Sequence, residues 1–485
     1  MTHLADSTAA ELLDGYAAGE FTPVDATEAA LERIEQRDGE LNAFVLVDRE
    51  AALDSARASA RRWDRGETLG PGDGVPTSIK DIFATKDWPT LRGSNLIQTP
   101  GSWNFDAPCV ARLRETGAVL LGKVTTPEFA WKGTTDSLRH GITGNPWDPS
   151  MTAGGSSGGS SAAVGAGMGA WSVGTDAGGS VRIPASFTGT VALKPTFGLV
   201  PMFPASPFGT LAHAGPMTRT VTDTALLMDV ISGFDARDWA ALPTPQGSFL
   251  DGLEDGVDGL RIAFSPTFGY VQNDPEVDRL VREAVELLES LGAVVEEVDP
   301  GFEDPLEAFH VLWFSGAAKV LEPFGPEALD HVDPGLRSGV EEYAGATALD
   351  FLDATAVRMD LGTRMGRFHE TYDLLVTPTM PITAFDASRQ APEGWSSDLW
   401  TSWTPYTYPF NMTQQPAASV PCGVAPTGPG AGLPVGLQFV GARTQDRLVL
   451  RAAHAYEQAA GWQFTRPVDV PATASASGGE PAPAV

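Results

Sequence analysis

Two glycine-rich turns hold the residues with the most chemical promise. Gly154-Gly155-Ser156-Ser157-Gly158-Gly159-Ser160 and Asp176-Ala177-Gly178-Gly179-Ser180 place Ser156 and Ser180 in separate turns, with a run of small residues between them. Upstream, Ser78-Ile79-Lys80-Asp81 carries one of only six lysines in the chain, at 80, 86, 123, 132, 194 and 319. These residues could supply a nucleophile, a proton relay and a base without any histidine. Serine is a poor nucleophile until a base takes its proton. Lysine can act as that base only when uncharged, a state that burial favours, and Val75-Pro76-Thr77-Ser78-Ile79 is an apolar setting for it. The implied chemistry is that of a serine hydrolase with a lysine base.

The turn at 176–180 suits acyl transfer. A serine after two glycines exposes its hydroxyl, and the N–H groups of Ala177, Gly178, Gly179 and Ser180 could bind the charge that grows on a carbonyl oxygen. A plain structural turn reads equally well from this segment alone. For Lys80 the competing reading is a buried salt bridge with Asp81 or Asp176. Histidine offers a second competitor, because His140 and His213 lie near the motif segments and a Ser-His-Asp triad is conceivable. His213, in Leu211-Ala212-His213-Ala214-Gly215-Pro216, reads better as a satisfied loop or core residue, and so does His140.

Two motif matches in this region fail on context. Gly154-Gly155-Ser156-Ser157-Gly158 fits GxSxG, but the turn material Asn145-Pro146-Trp147-Asp148-Pro149 stands before it where a nucleophile elbow needs a strand. Gly165-Ala166-Gly167-Met168-Gly169-Ala170 half-resembles a dinucleotide fingerprint, yet the position about 20 residues on is Thr190, with no acidic residue beside it.

The elements that must hold these residues follow from periodicity. Residues 154–200 contain twelve glycines, the density of a linker, but Val164, Met168, Trp171, Val173, Ile183, Phe187 and Leu193 are interleaved with them. The better reading is backbone packed closely on backbone. Residues 8–60 read as helices, one of them opened by Thr22-Pro23. From 74 to about 240, short strands alternate with helices: strand and turn over 77–83, helix over 110–116, strand over 118–123, helix over 160–168, strand over 171–174 and helix over 221–231. A second βαβ pattern has strands at 260–264 and 293–298 around an amphipathic helix, 274–291. Residues 302–370 read as mostly helical, 372–376 and 434–440 as core strands, and 446–459 as a helix. The organisation expected is an N-terminal helical segment (1–60), a catalytic domain (61–470) and a disordered Ala/Pro/Ser/Gly tail (471–485). The 235–258 stretch is the best candidate seam, although the late strands are expected to join the sheet begun by the first half.

Composition bounds the partners. At 485 residues and 42% hydrophobic content the chain can bury a large core, and no run of about 18 apolar residues marks a membrane span. The start has no basic region followed by an apolar stretch, so a cytoplasmic location is expected. Formal charge is −30, with 26 arginines against the six lysines. Such a surface repels nucleic acid and anionic lipid. Lysine depletion beside the acidity suggests a high-salt cytoplasm, where at roughly 1 M salt the screening length falls to about 3 Å and self-repulsion is suppressed. Cys109 and Cys422 show no CxxC spacing, so neither a disulfide framework nor a zinc site is indicated.

At this point the motifs resemble a known family. Lys80-Asp81, Gly122-Lys123, Asn145-Pro146-Trp147, the whole of 154–200, Gly215-Pro216-Met217-Thr218-Arg219 and Gly432-Leu433-Pro434-Val435-Gly436-Leu437-Gln438 look like the amidase signature pattern, across about residues 8–466. The resemblance implies an α/β fold, a single large α/β/α unit with a central mixed β-sheet flanked by helices. It implies amide hydrolysis by a Ser-cisSer-Lys triad with no metal and no organic cofactor. Carried over, Ser180 is the nucleophile, Lys80 the base and Ser156 the relay serine reached through a cis peptide. Ser157 is the rival for the relay, and the family's 24-residue spacing from relay to nucleophile favours Ser156. Ala177, Gly178 and Gly179 are then oxyanion-hole donors, with Asp176 and Arg182 bracing the turn. The expected partner is a small-molecule amide substrate, with no direct nucleic acid, no membrane and a homodimer left open.

Phe129 and Trp131 are expected in the substrate pocket. Trp103 and the cluster Trp395, Trp400, Trp403, Tyr406, Tyr408 and Phe410 are further candidates to line it, or ordinary core. No basic cluster points to an anionic substrate. The family also holds the glutaminase component of tRNA-dependent amidotransferase complexes, which is the alternative function, and an inactive amide-binding scaffold is a third.

Overall fold

In a computed structural model of the chain, which describes residues 3–99 and 101–462, helix-forming and strand-forming runs assemble around one 11-stranded mixed sheet. Thirteen strands are present among the described residues: β1 Phe44–Val47, β2 Pro76–Lys80, β3 Val119–Val124, β4 Asp136–Ser137, β5 Gly141–Ile142, β6 Trp171–Asp176, β7 Val191–Lys194, β8 His213–Thr218, β9 Arg261–Phe264, β10 Val294–Glu297, β11 Leu374–Pro378, β12 Ala417–Val424 and β13 Pro434–Gly441. The large sheet runs β1-β3-β2-β6-β8-β7-β12-β13-β11-β9-β10, and β4 and β5 form a small separate hairpin. The sheet is mixed: β2 lies parallel to β3 and β6, β6 is antiparallel to β8, and β9 is parallel to both β10 and β11. Strands 435–440 and 76–80 thus belong to one sheet, as expected. The tail expected to be disordered, 471–485, lies outside the described residues.

Helix ends follow side-chain chemistry. Thr8 and Thr22 each close a capping box, with Glu11 and Asp25 respectively, and Pro23 opens the second helix where its missing N–H is harmless. The expectation that residues 8–60 form helices holds for three helices and needs one correction. The helix Pro23–Leu41 stops at Asn42, which turns left-handed at φ 51°, and Phe44-Val45-Leu46-Val47 then forms the edge strand β1 against β3 before Asp48 caps the next helix. Four β-prone residues between two helix punctuators override the surrounding helical pattern.

Where the strands end determines where chemistry can occur. β2 ends at Lys80 and its parallel neighbour β6 ends at Asp176, so both C-terminal ends open on one side of the sheet, about one strand spacing (~4.8 Å) apart. The helix Gly158–Gly165 packs over β2, β3, β6 and β8 and begins directly after Ser157. Three separated pieces of sequence therefore converge on one spot: the end of β2, the turn after β6 and the turn that starts this helix.

Candidate active site

Lys80 is fully buried, and its Nζ lies within hydrogen-bond distance of three hydroxyls: Ser156 Oγ at 2.7 Å, Ser157 Oγ at 2.9 Å and Thr175 Oγ1 at 2.7 Å. The salt-bridge alternative for Lys80 is not what the fold builds. Asp81 pairs instead with Lys123 at 3.3 Å, and Asp176 with Arg182 at 3.0 Å. Among the described residues Lys80 has no ion-pair partner. Burial pushes its amine well below the ordinary lysine value, and the Asp176 charge pulls it back only in part.

The peptide bond between Gly155 and Ser156 is cis, as the resemblance implied. Small neighbours are needed for these turns to close on one another. A Cβ at Gly174 of β6 would lie 2.7 Å from Ser157 Oγ, and one at Gly178 would lie 2.5 Å from the Trp400 ring. Ser157 is completely buried. It donates to the Thr175 carbonyl at 3.1 Å and accepts from the Thr175 N–H at 3.2 Å, so its proton is already committed. Ser156 faces the cavity, and its hydroxyl meets Lys80 Nζ and is not committed to a backbone carbonyl among the described residues.

Ser180 lies in the wall of the same cavity, and its carbonyl accepts the Ser157 N–H at 3.1 Å, which ties the two serine turns together. Asp176 sits beneath. Its carboxylate accepts from the Gly179 N–H at 2.8 Å, the Val181 N–H at 3.2 Å, Arg182 Nε and Nη2 at 3.0 Å each and Asn411 Nδ2 at 2.8 Å. Burial alone would raise this carboxyl, but the Arg182 guanidinium, with Lys194 and the Asn411 amide, outweighs burial and holds it far below the usual range. Arg182 in turn donates to Gln438 Oε1 at 2.8 Å and Asn411 Oδ1 at 2.7 Å. Asp176 and Arg182 thus fix the 176–180 turn, the bracing that was expected of them.

The Gly179 N–H is engaged by this carboxylate, which sets it apart from the other expected oxyanion donors. The N–H groups of Ala177, Gly178 and Ser180 have no acceptor among the described residues.

Among the described residues neither imidazole hydrogen-bonds to a serine hydroxyl. His213 begins β8, where its Nδ1 meets the Leu211 carbonyl at 2.7 Å and the Asp176 carbonyl at 3.2 Å, while Nε2 lies 3.4 Å from Lys194 Nζ. The His140 imidazole is pushed down to about 4, by burial first and then by Arg139. A Ser-His-Asp triad is not assembled among the described residues.

The cavity above Ser156 and Ser180 encloses about 930 Å³ including its mouth. Its walls are largely apolar, with Ile82, Phe83, Phe129, Met202, Phe203, Phe208, Trp313 and Val320 prominent. Phe129 is placed as expected. Trp131 is not: it lies buried in the core, its six-membered ring where a Cβ at Gly335 would come within 2.7 Å, and it does not line the cavity. The cause is local backbone, since Phe129 and Ala130 take left-handed conformations (φ 51° and 61°) and turn the chain inward before Trp131. Trp103, Trp395, Trp400, Trp403, Tyr406, Tyr408 and Phe410 also do not line it, and Trp400, Trp403, Tyr406, Tyr408 and Phe410 belong to the second hydrophobic core beside the site.

Sequence reading missed Thr175, Asn411 and the 202–208 wall. Thr175 carried a signal, being the residue before Asp176. Asn411 lies more than 200 residues from the turn it braces and carried none.

The comparisons with known proteins agree with this geometry. A family model described as Amidase matches residues 25–450. An acylamidase of Rhodococcus erythropolis is 37% identical over 472 residues, covering 95% of this chain and 97% of that protein. A glutamyl-tRNA(Gln) amidotransferase subunit of Streptomyces coelicolor is 37% identical over 500 residues, covering 95% and 97%. Among solved structures, a bacterial aryl acylamidase of the amidase signature enzymes superposes with a TM-score of 0.88 at 31% identity, covering 96% of this chain and 99% of its own. The family model over residues 25–450, the 37% identity to an acylamidase and the superposition on an aryl acylamidase show that the chain belongs to the amidase signature family of amide-bond hydrolases.

Proposed function

We propose that the chain hydrolyses a carboxylic acid amide to an acid and ammonia or an amine, with Ser180 as nucleophile, Ser156 as proton relay and Lys80 as base. The observation that carries the assignment is the uncharged hydroxyl cage of Lys80. A neutral amine has two N–H groups and one lone pair, and three hydroxyl contacts suit that inventory when one hydroxyl donates. Ser157 has given its proton to the Thr175 carbonyl, so the donor is Ser156 or Thr175, and Ser156 is the one the family spacing selects.

In the forward step Ser180 Oγ bonds to the amide carbon while its proton passes to Ser156 Oγ, and the proton of Ser156 passes to Lys80 Nζ. The N–H groups of Ala177, Gly178 and Ser180 stabilise the oxyanion. Collapse breaks the C–N bond. The departing nitrogen takes a proton from Ser156, which Lys80 replaces. Water then attacks the acyl carbon, gives a proton back through the same chain, and the ester bond breaks to free the acid and Ser180.

Removing the relay alone, Ser156→Ala, lowers kcat by roughly 10² to 10⁴ and leaves Ser180 in place for acylation by activated esters. Loss of amide and activated-ester turnover to the same degree would argue against a role in protonating the leaving nitrogen. The test of the whole reading is ammonia release across aliphatic, aryl and peptide amides, with glutamine included. The 37% identity to an amidotransferase component favours one alternative, a glutaminase that works within a complex. Glutamine turnover that appears only with tRNA and partner proteins would establish it, whereas free-standing turnover of simple amides supports the amidase.

The enzyme is also assigned to a cytoplasm of high salt, on its −30 charge and six lysines. Among the described residues no helix is long and apolar enough to cross a membrane. Raising KCl from about 0.1 M to about 1 M shortens the screening length from about 10 Å to about 3 Å. The unfolding midpoint and the activity are expected to rise together across this range. A flat or falling midpoint would remove the assignment.

A further inference from the structure

Among the described residues Arg92 is the only charged one that lines the cavity of Ser156 and Ser180. Its guanidinium has no hydrogen-bond or ion-pair partner among the described residues. Arg92 is half-buried; the buried Arg182 and Arg219 and the half-buried Arg358 behave differently. Arg182 holds Asp176, Asn411 and Gln438, Arg219 donates to the carbonyls of Val164, Gly169 and Ser7, and Arg358 to Met412 and Thr210. Asp81, the carboxylate that acts on Arg92 through space, is itself occupied by Lys123 at 3.3 Å and by the Leu91 N–H at 3.1 Å.

The main chain at Arg92 is fixed, although its conformation is unfavourable for a residue that carries a Cβ. Its φ is 54°, in the left-handed region where glycine or asparagine is cheaper by about 1 kcal/mol or more. Two hydrogen bonds hold it there: its N–H donates to the Asp81 carbonyl at 3.1 Å, and its carbonyl accepts from Phe129 N–H at 2.7 Å. A position that would suit a smaller residue thus presents a long cation to an apolar cavity. A half-buried cation set against apolar walls is well placed to meet an anion that enters the cavity. A guanidinium fork matches a carboxylate with two parallel N–H···O bonds.

We propose that Arg92 is an anion-binding subsite of the catalytic cavity, and that the substrate is an amide that also carries a carboxylate. This rests on the amidase reading above. The carboxylate can reside on the acyl part or on the leaving amine, and matched pairs separate the two: adipamic acid against hexanamide, and 4-acetamidobenzoate against acetanilide.

At fixed ionic strength the wild-type enzyme is expected to favour the charged member of one pair by on the order of 10- to 100-fold in kcat/KM, mainly through KM. Arg92→Met removes that preference and leaves the neutral member within about twofold of its wild-type rate. Arg92→Lys, which keeps the charge and loses the fork, retains part of it. Should Arg92→Met fail to fold, the wild-type ratios and Arg92→Lys still decide. An enzyme that shows no preference in either pair, hydrolysing hexanamide and acetanilide as well as their carboxylates, or a variant that loses both members of the preferred pair equally, overturns the subsite and leaves the amidase intact. Failure on all four amides overturns the amidase reading and the subsite with it.

Discussion

Ser180→Ala eliminates amide hydrolysis, a loss on the order of 10⁵ to 10⁶ in kcat, with the unfolding midpoint unchanged. The two halves of this expectation have separate causes. The Ser180 hydroxyl has no hydrogen-bond partner among the described residues, so its removal orphans no buried group, and a substitution of this kind stays within about 0.5 kcal/mol. Its carbonyl, which accepts from Ser157, is untouched by the change. Turnover fails because the hydroxyl proposed to form the acyl-enzyme is gone. Ser156 cannot substitute, since it is bound to Lys80. A fluorophosphonate should label the wild type at Ser180 and leave the variant unmodified. Persistent ammonia release above about 1% of the wild-type rate, or labelling of the variant, would sink the nucleophile assignment.

The second large effect separates a base from a mere cation. Lys80→Met keeps the length of the side chain and removes the amine, and Lys80→Arg keeps a cation that cannot give up its proton. Both are expected to lower kcat by on the order of 10⁴ or more. If the amine served only to hold positive charge near the serines, the arginine variant would retain activity. The pH profile gives an independent check. Burial lowers the Lys80 pKa, so the uncharged base persists to lower pH than an ordinary lysine would allow. Activity on amides should therefore fall as pH drops through the Lys80 pKa and stay high above it, with kcat/KM reporting the free enzyme. A kcat/KM that already declines as pH drops below about 10 would mean that Lys80 keeps the ordinary lysine value, and would contradict the hydroxyl cage.

Much of this site was legible because its chemistry is concentrated in short motifs. Lys80, Ser156 and Ser180 stand in segments whose composition is unusual: an apolar strand ending in a rare lysine, and two turns dense in glycine. Periodicity also found β2, β3, β6, β9, β10, β11 and β13, short runs bounded by turn residues, most of them rich in apolar or β-branched side chains. It overlooked β8 and β12, where Gly215-Pro216 and Pro421-Cys422-Gly423 interrupt the strand with residues that ordinarily break one. In β12 the register shifts between Pro421 and Gly423, an irregularity that accommodates the break.

The amino-acid order by itself determined which groups could react and the class of fold that carries them, since residue type and local spacing encode both. Tertiary structure decided how those groups are wired. Whether Lys80 meets a carboxylate or a hydroxyl depends on Asp81 finding Lys123, which needs β2 and β3 side by side, and on Asp176 finding Arg182 across the turn after β6. The Asn411 brace and the arginine in the cavity wall were likewise invisible, because contacts between distant parts of a chain leave no periodic trace in its sequence. Aromatic residues read as a pocket became core for the same reason: hydrophobicity says that a ring is buried, and only packing says against what.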